Sequence, residues 1–89
     1  MKDWLVYILE CRDGTFYTGI TGDIQNRVAA HNEGKGAKYT KGRGPVRLRY
    51  SEKAQGRSEA LKREMEIKKM SKGEKMRLMG ILNKKVVES

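Results

Sequence analysis

The residues with chemistry to offer are few and scattered. The stretch "VYILECRDGTFYTGIT", residues 6–21, carries two tyrosines, Tyr7 and Tyr17, and a mid-strand glycine, Gly19, where aliphatic residues would pack equally well. Arg27 and His31 follow, four residues apart, and Glu64 lies on a later helical stretch. A phenol and an imidazole can move protons, a guanidinium holds an oxyanion through two parallel hydrogen bonds, and a carboxylate holds a cation. Brought together, these groups could work on an anionic substrate. Each also has a plainer use: strand tyrosines commonly pack, a lone histidine is commonly structural, and an arginine is commonly solvated or ion-paired.

Whether the two phenols can cooperate depends on the register of the hairpin. A two-residue turn at Asp13-Gly14 sets Tyr7 against Ile20 and puts Tyr17 on the other face. A three-residue loop, Arg12-Asp13-Gly14 with Gly14 left-handed, pairs Cys11 with Thr15, Leu9 with Tyr17 and Tyr7 with Gly19. A slip of one residue flips every side chain, so only the second register puts both tyrosines on one face. It also gives Gly19 a use, as a hollow beside the Tyr7 ring where a ligand can approach the backbone. The three-residue loop is the expected one.

Helical spacing sorts the remaining candidates. Arg27 and His31 share a face and flank the Ile24/Val28 stripe, so both should emerge at the edge of the buried surface. Further on, Ala60, Leu61, Met65, Ile67 and Met70 form an apolar arc with Glu64 near its middle. A carboxylate turned towards a core is unfavourable unless it is ion-paired or metal-bound. An internal pair with Arg27 or a lysine is the commoner answer. Metal ligation is the other, and among the eleven acidic residues Glu64 is the best placed for it. No paired carboxylates, no Ser-His-Asp or Cys-His set and no phosphate-loop spacing compete with this set.

The elements that must position these groups can be read in outline. "WLVYIL", residues 4–9, is apolar throughout and reads as a central strand covered on both faces. Residues 16–20 are its antiparallel partner, residues 22–32 a helix capped by Asp23, and residues 46–50 a third strand. Two helices follow, over 58–70 with Ser58 as cap and over 71–83 with Ser71 as cap. The order is ββαβαα, an α+β fold with a three-stranded antiparallel sheet flanked by helices. Residues 1–83 make one domain and residues 84–89 a frayed tail. With 37% hydrophobic and 35% charged residues in 89, one modest core and two layers are expected. The single cysteine, Cys11, and single histidine exclude an internal disulfide and a four-ligand structural zinc, and suit a reducing cytoplasm. The apolar run after Asp3 is too short for a signal peptide or a membrane span.

Charge narrows the partner. Twenty lysines and arginines against eleven acids give +9, a field that attracts nucleic acid first and a membrane surface second. Residues 33–45 read as a long, mobile, basic loop, with four glycines, Lys35, Lys38, Lys41, Arg43 and one aromatic, Tyr39. Its cations can contact phosphates and Tyr39 can stack on a base. A solvated connector is the alternative.

Taken in order, Tyr7, Tyr17-Thr18-Gly19, Arg27, His31 and Glu64 resemble the GIY-YIG endonuclease superfamily, in its small stand-alone bacterial members related to the nuclease domain of the repair protein UvrC. The likeness spans residues 4–70. It departs from the motif at Leu5-Val6, where glycine and isoleucine are named, and at Thr18, where isoleucine is named. The resemblance implies one Mg²⁺ (or Mn²⁺) held by the carboxylate that Glu64 matches. It implies a tyrosine of the strand pair that activates water or assists attack on a phosphodiester, with either tyrosine in that role. Arg27 would bind the scissile phosphate, and His31 would support the orientation or proton transfer of Tyr7. A tyrosine is a poor base at its free pKa of about 10, and serves only where nearby cations favour the phenolate, as Arg27 and a metal would. The activity implied is metal-dependent hydrolysis of DNA, directed by structure rather than base sequence, in DNA repair or recombination, with a protein of those processes as a further partner. The alternative is a non-catalytic nucleic-acid-binding module of the same fold.

Overall fold

The computed structural model describes residues 3–36 and 40–80. The elements are β1 (Trp4–Glu10), β2 (Phe16–Thr21), α1 (Ile24–Asn32), β3 (Arg47–Ala54), α2 (Arg57–Lys68) and α3 (Lys72–Leu78), in the expected order ββαβαα. The sheet is antiparallel with strand order β2-β1-β3, so the uninterrupted apolar run forms the central strand.

The hairpin adopts the three-residue loop. Gly14 takes φ +86, where an L side chain is disfavoured. The Cys11 N–H donates to the Thr15 carbonyl at 2.8 Å. The Asp13 carboxylate accepts from the Thr15 N–H at 3.1 Å and from its hydroxyl at 2.6 Å. Tyr7 therefore lies opposite Gly19 and Leu9 opposite Tyr17, with both phenols on one face.

Alternation along β1 divides the core in two. Val6 and Ile8 join Ala60 and Ile67 of α2, with Trp4, Phe16, Ile20 and Met70 packed around them. Tyr7, Leu9 and Cys11 point the other way and meet Val46, Tyr17 and, from α1, Ile24 and Val28. Composition suggested two layers, but helices cover both faces of the sheet. Three strands are narrow enough for one short helix to close one side and two to close the other. Val6, Ile8, Leu9 and Ile67 are fully buried, each contributing roughly 1.5–3 kcal/mol, so the strand that carries Tyr7 is the best anchored in the sheet.

Element ends show what local signals miss. Asp23 caps α1 by accepting from the Asn26 N–H, and Ser71 with Glu74 forms a reciprocal capping box on α3. Helix α2 starts at Arg57 after Gly56 with no side-chain cap, so Ser58 lies within the first turn instead of preceding it. Helix α3 stops at Leu78 instead of reaching 83, because Gly80 takes φ +82 and its N–H closes on the Arg77 carbonyl. Residues 81–83 of the expected helix, and the expected tail, lie outside the described residues. Strand β3 runs on to Ala54, with Ser51, Glu52 and Lys53 paired to β1. Leu48 faces Leu9 while Tyr50 faces Ile8, so Arg49 is an extra residue, a bulge. Among the described residues no helix is long and apolar enough to cross a membrane.

Candidate active site

The central strand delivers Tyr7 to the α1 side of the sheet, where it is 2% exposed. Its ring lies over Gly19: a Cβ there would stand 2.6 Å from the Tyr7 hydroxyl and 2.7 Å from Cζ. The sequence suggested an open hollow at Gly19 for nucleic acid. The structure fills that hollow with the phenol itself, because the cross-strand ring leans over the one residue that cannot obstruct it. Gly19 thus seats the tyrosine and is buried.

His31, in the last turn of α1, also departs from expectation. It is 1% exposed rather than at the edge of the buried surface. Its Nε2 lies 3.1 Å from the Tyr7 hydroxyl and its Nδ1 2.7 Å from Oγ1 of Thr40, itself 1% exposed. The loop after α1 closes over the ring: a Cβ at Gly36 would collide with the His31 imidazole. Tyr17, half-buried, completes the cluster with its ring centroid 5.1 Å from that of His31 and 6.4 Å from that of Tyr7.

Burial dominates the ionisation of this cluster. It raises the Tyr7 pKa well above the ordinary tyrosine range; Tyr17 and Glu64 raise it further and Arg27 opposes them. Arg27 and Glu64, from different helices, therefore both act electrostatically on one hydroxyl. Burial, then Arg27, lowers His31 below its ordinary 6.5, so the imidazole is neutral at pH 7. The expectation that cations would favour a phenolate does not hold for the protein alone, since burial outweighs Arg27.

Arg27 is exposed one turn before His31, and no carboxylate among the described residues pairs with it. It lines a shallow cleft with Thr21, Asp23, Asn26 and Ala30. The Glu64 side chain is 15% exposed and 3.2 Å from Nζ of Lys68, one turn on. Of the two answers for its burial, the structure contains the lysine pair. Met65, placed on the apolar arc by its spacing, is 56% exposed, so the arc is narrower than the sequence suggested.

The basic loop is only partly in view. Lys38 and Tyr39 lie outside the described residues. Lys35 is exposed, 4.0 Å from Glu33, and Lys41 is exposed. Arg43 is committed to Asp13 at 2.6 Å, and its carbonyl accepts the Arg12 N–H at 2.8 Å, which ties the loop to the hairpin turn. Thr40 and Gly36 are the residues that sequence reasoning missed. A hydroxyl and a glycine in a lysine-rich loop carry no periodicity. The one available hint was that a buried histidine needs a partner for its second nitrogen.

With this geometry in place, comparison with known proteins is decisive. The GIY-YIG catalytic domain matches residues 3–77. The chain belongs to the GIY-YIG family. Membership places it among relatives of nucleases. A UPF0213 protein of Halobacterium salinarum is 57% identical over 70 residues, covering 79% of this chain and 91% of its own length. One of Staphylococcus saprophyticus is 53% identical over 79 residues, covering 89% and 96%. The solution NMR structure of a UPF0213 protein from Bacillus halodurans superposes with a TM-score of 0.56 at 46% identity, covering 91% of this chain and 85% of that one. These relatives are small UPF0213 proteins matched over most of their own length.

Proposed function

We propose that this protein is a metal-dependent endonuclease that hydrolyses DNA phosphodiester bonds. The observation that carries this reading is the buried chain Thr40–His31–Tyr7, whose phenol is acted on by both Arg27 and Glu64.

Tyr7 is a neutral phenol at pH 7, so it cannot act as a preformed base. It can pass a proton on. With His31 Nδ1–H donating to Thr40, Nε2 is free to accept from the Tyr7 hydroxyl as that oxygen takes a proton from the attacking water. Neutral His31 is the state this transfer requires. Arg27, with no carboxylate partner among the described residues, can grip two oxygens of the scissile phosphate and offset the charge that grows there. Tyr17 walls the site beside His31.

Among the described residues no three acidic, histidine or cysteine side chains gather to hold an ion. A lone carboxylate still fits Mg²⁺, which keeps most of its waters and often takes one or two carboxylates. Glu64 would hold it on exchanging its Lys68 contact. When bound, Mg²⁺ or Mn²⁺ supplies charge stabilisation for the leaving oxygen. Lys35, Lys38 and Lys41 would grip phosphates, as would Arg43 on exchanging its Asp13 contact, and Tyr39 would stack on a base, without reading base edges. Recognition by DNA structure follows, in a repair or recombination role, with a protein of those processes as a partner.

The test is nicking of supercoiled and branched DNA with Mg²⁺ or Mn²⁺. Arg27→Ala and Glu64→Ala are each expected to lose about 10²–10³-fold in rate. Full activity in either variant overturns the assignment. Binding by the parent protein without cleavage, unchanged by Glu64→Ala, would leave a non-catalytic nucleic-acid-binding module.

A further inference from the structure

We infer that a second phosphate-binding site, separate from the phenol cluster, lies where β1 ends and β3 begins, and that it holds the DNA backbone a few nucleotides from the scissile bond. The inference rests on the reading that the protein acts on DNA. A cleft of about 320 Å³ is lined there by Glu10, Cys11, Arg12, Pro45, Arg47 and Arg49. Three guanidinium groups meet one carboxylate. Arg49, the bulge residue, pairs with Glu10 at 3.0 Å, and Glu10 is also the cross-strand partner of Arg47. That single carboxylate is thereby occupied. Arg12 and Arg47 are exposed and meet no other carboxylate among the described residues.

The contrast with a second cleft of similar size, about 340 Å³ between β3 and α2, is informative. There Lys53, Lys62 and Arg63 face Glu52, Glu59 and Glu66, and Arg63 pairs with both Glu52 and Glu66. That lining is self-neutralised, whereas the arginine cleft keeps a surplus of positive charge.

Its arginines are also well founded. Arg47 and Arg49 stand on a paired strand, and the Arg12 N–H is fixed to the Arg43 carbonyl at 2.8 Å. A guanidinium matches two oxygens of a phosphodiester, and a positive cleft concentrates a polyanion. Glu10 is three residues along β1 from Tyr7, about 10 Å at strand spacing, with its side chain turned to the opposite face; Cys11, also in the lining, packs on the Tyr7 face, so the cleft sits at the end of the strand between the two faces. A separation of about 10 Å along the strand matches the axial rise of about three base pairs of duplex. The cleft can therefore hold a phosphate near the scissile one, setting where DNA lies without reading its bases.

The test is fluorescence anisotropy on a labelled duplex across a salt series, with cleavage of the same duplex followed in parallel. Four proteins are compared: the parent, Arg12→Gln with Arg47→Gln, Lys53→Gln as a control for the loss of one surface cation at the far end of β3, and Glu10→Gln. The double variant is expected to bind at least tenfold more weakly at low salt. Its slope of log affinity against log salt should be shallower by about 2, at roughly 0.9 per phosphate contact. Lys53→Gln should keep the parental slope, and Glu10→Gln, which releases Arg49, should steepen it. A double variant with the parental slope, or Lys53→Gln losing half as much slope as the double variant, overturns the site. Cleavage by a parent whose double variant keeps its slope removes this cleft and leaves the nuclease. The expected slope loss without cleavage leaves the cleft and removes the nuclease. No binding at low salt removes both.

Discussion

At the scale of residues, the account turns on one imidazole held between two hydroxyls. His31 has a folded pKa below its ordinary 6.5, so the unfolded chain takes up the proton first as pH falls. Its contribution to stability is complete above about 6.5 and is lost on acidification below it. Thermal melts should show midpoints falling from pH 7 to 5.5, and His31→Gln should flatten that slope; an equally steep fall in the variant would refute the assignment. Thr40→Val leaves Nδ1 buried without a partner and should destabilise by about 1–3 kcal/mol in denaturant titrations. Gly19→Ala puts a methyl against the Tyr7 hydroxyl and should destabilise by about 1–3 kcal/mol. Of this cluster, the tyrosines, Arg27 and His31 were legible as residue types at telling spacings. Thr40 was not, because a hydroxyl becomes a histidine partner only through a loop path that no local rule dictates.

The elements explain why these groups meet. A left-handed glycine in a three-residue turn sets the register, and the register brings two phenols to one face and a glycine under one of them. That much could be read from Asp13-Gly14 and Gly19 before any coordinates. The turn residues of β3 could not: its bulge at Arg49 answers to packing across the strand pair, and its polar run 51–53 lacks the apolar alternation of a strand. Glu64 was singled out by an arc that included Met65. The residue does turn inward, yet Met65 does not, since α2 packs through Ala60 and Ile67. The loop after α1 matters more than its composition suggested, because residue 36 lies against the imidazole and residue 40 bonds it. Gly36→Ala should displace the ring and cut cleavage by at least tenfold while far-UV circular dichroism stays native; parental cleavage would show that the loop does not position His31.

For the molecule as a whole, +9 on 89 residues supplies attraction without specificity. Three of the ion pairs among the described residues, Lys35–Glu33, Arg43–Asp13 and Lys53–Asp3, are solvent-exposed on both sides and contribute little stability each. On the proposed reading the charge serves encounter with a polyanion. The geometry adds a buried proton path ending at a phenol that Arg27 and Glu64 both influence. The most direct test is the single-turnover rate of DNA cleavage against pH, for the parent and for Tyr7→Phe. The account predicts an acid limb with its midpoint below 6.5, where His31 gains a proton, and a loss of about 10²-fold or more in Tyr7→Phe at every pH. Parental rates in Tyr7→Phe, or an acid limb centred above 6.5, would contradict it.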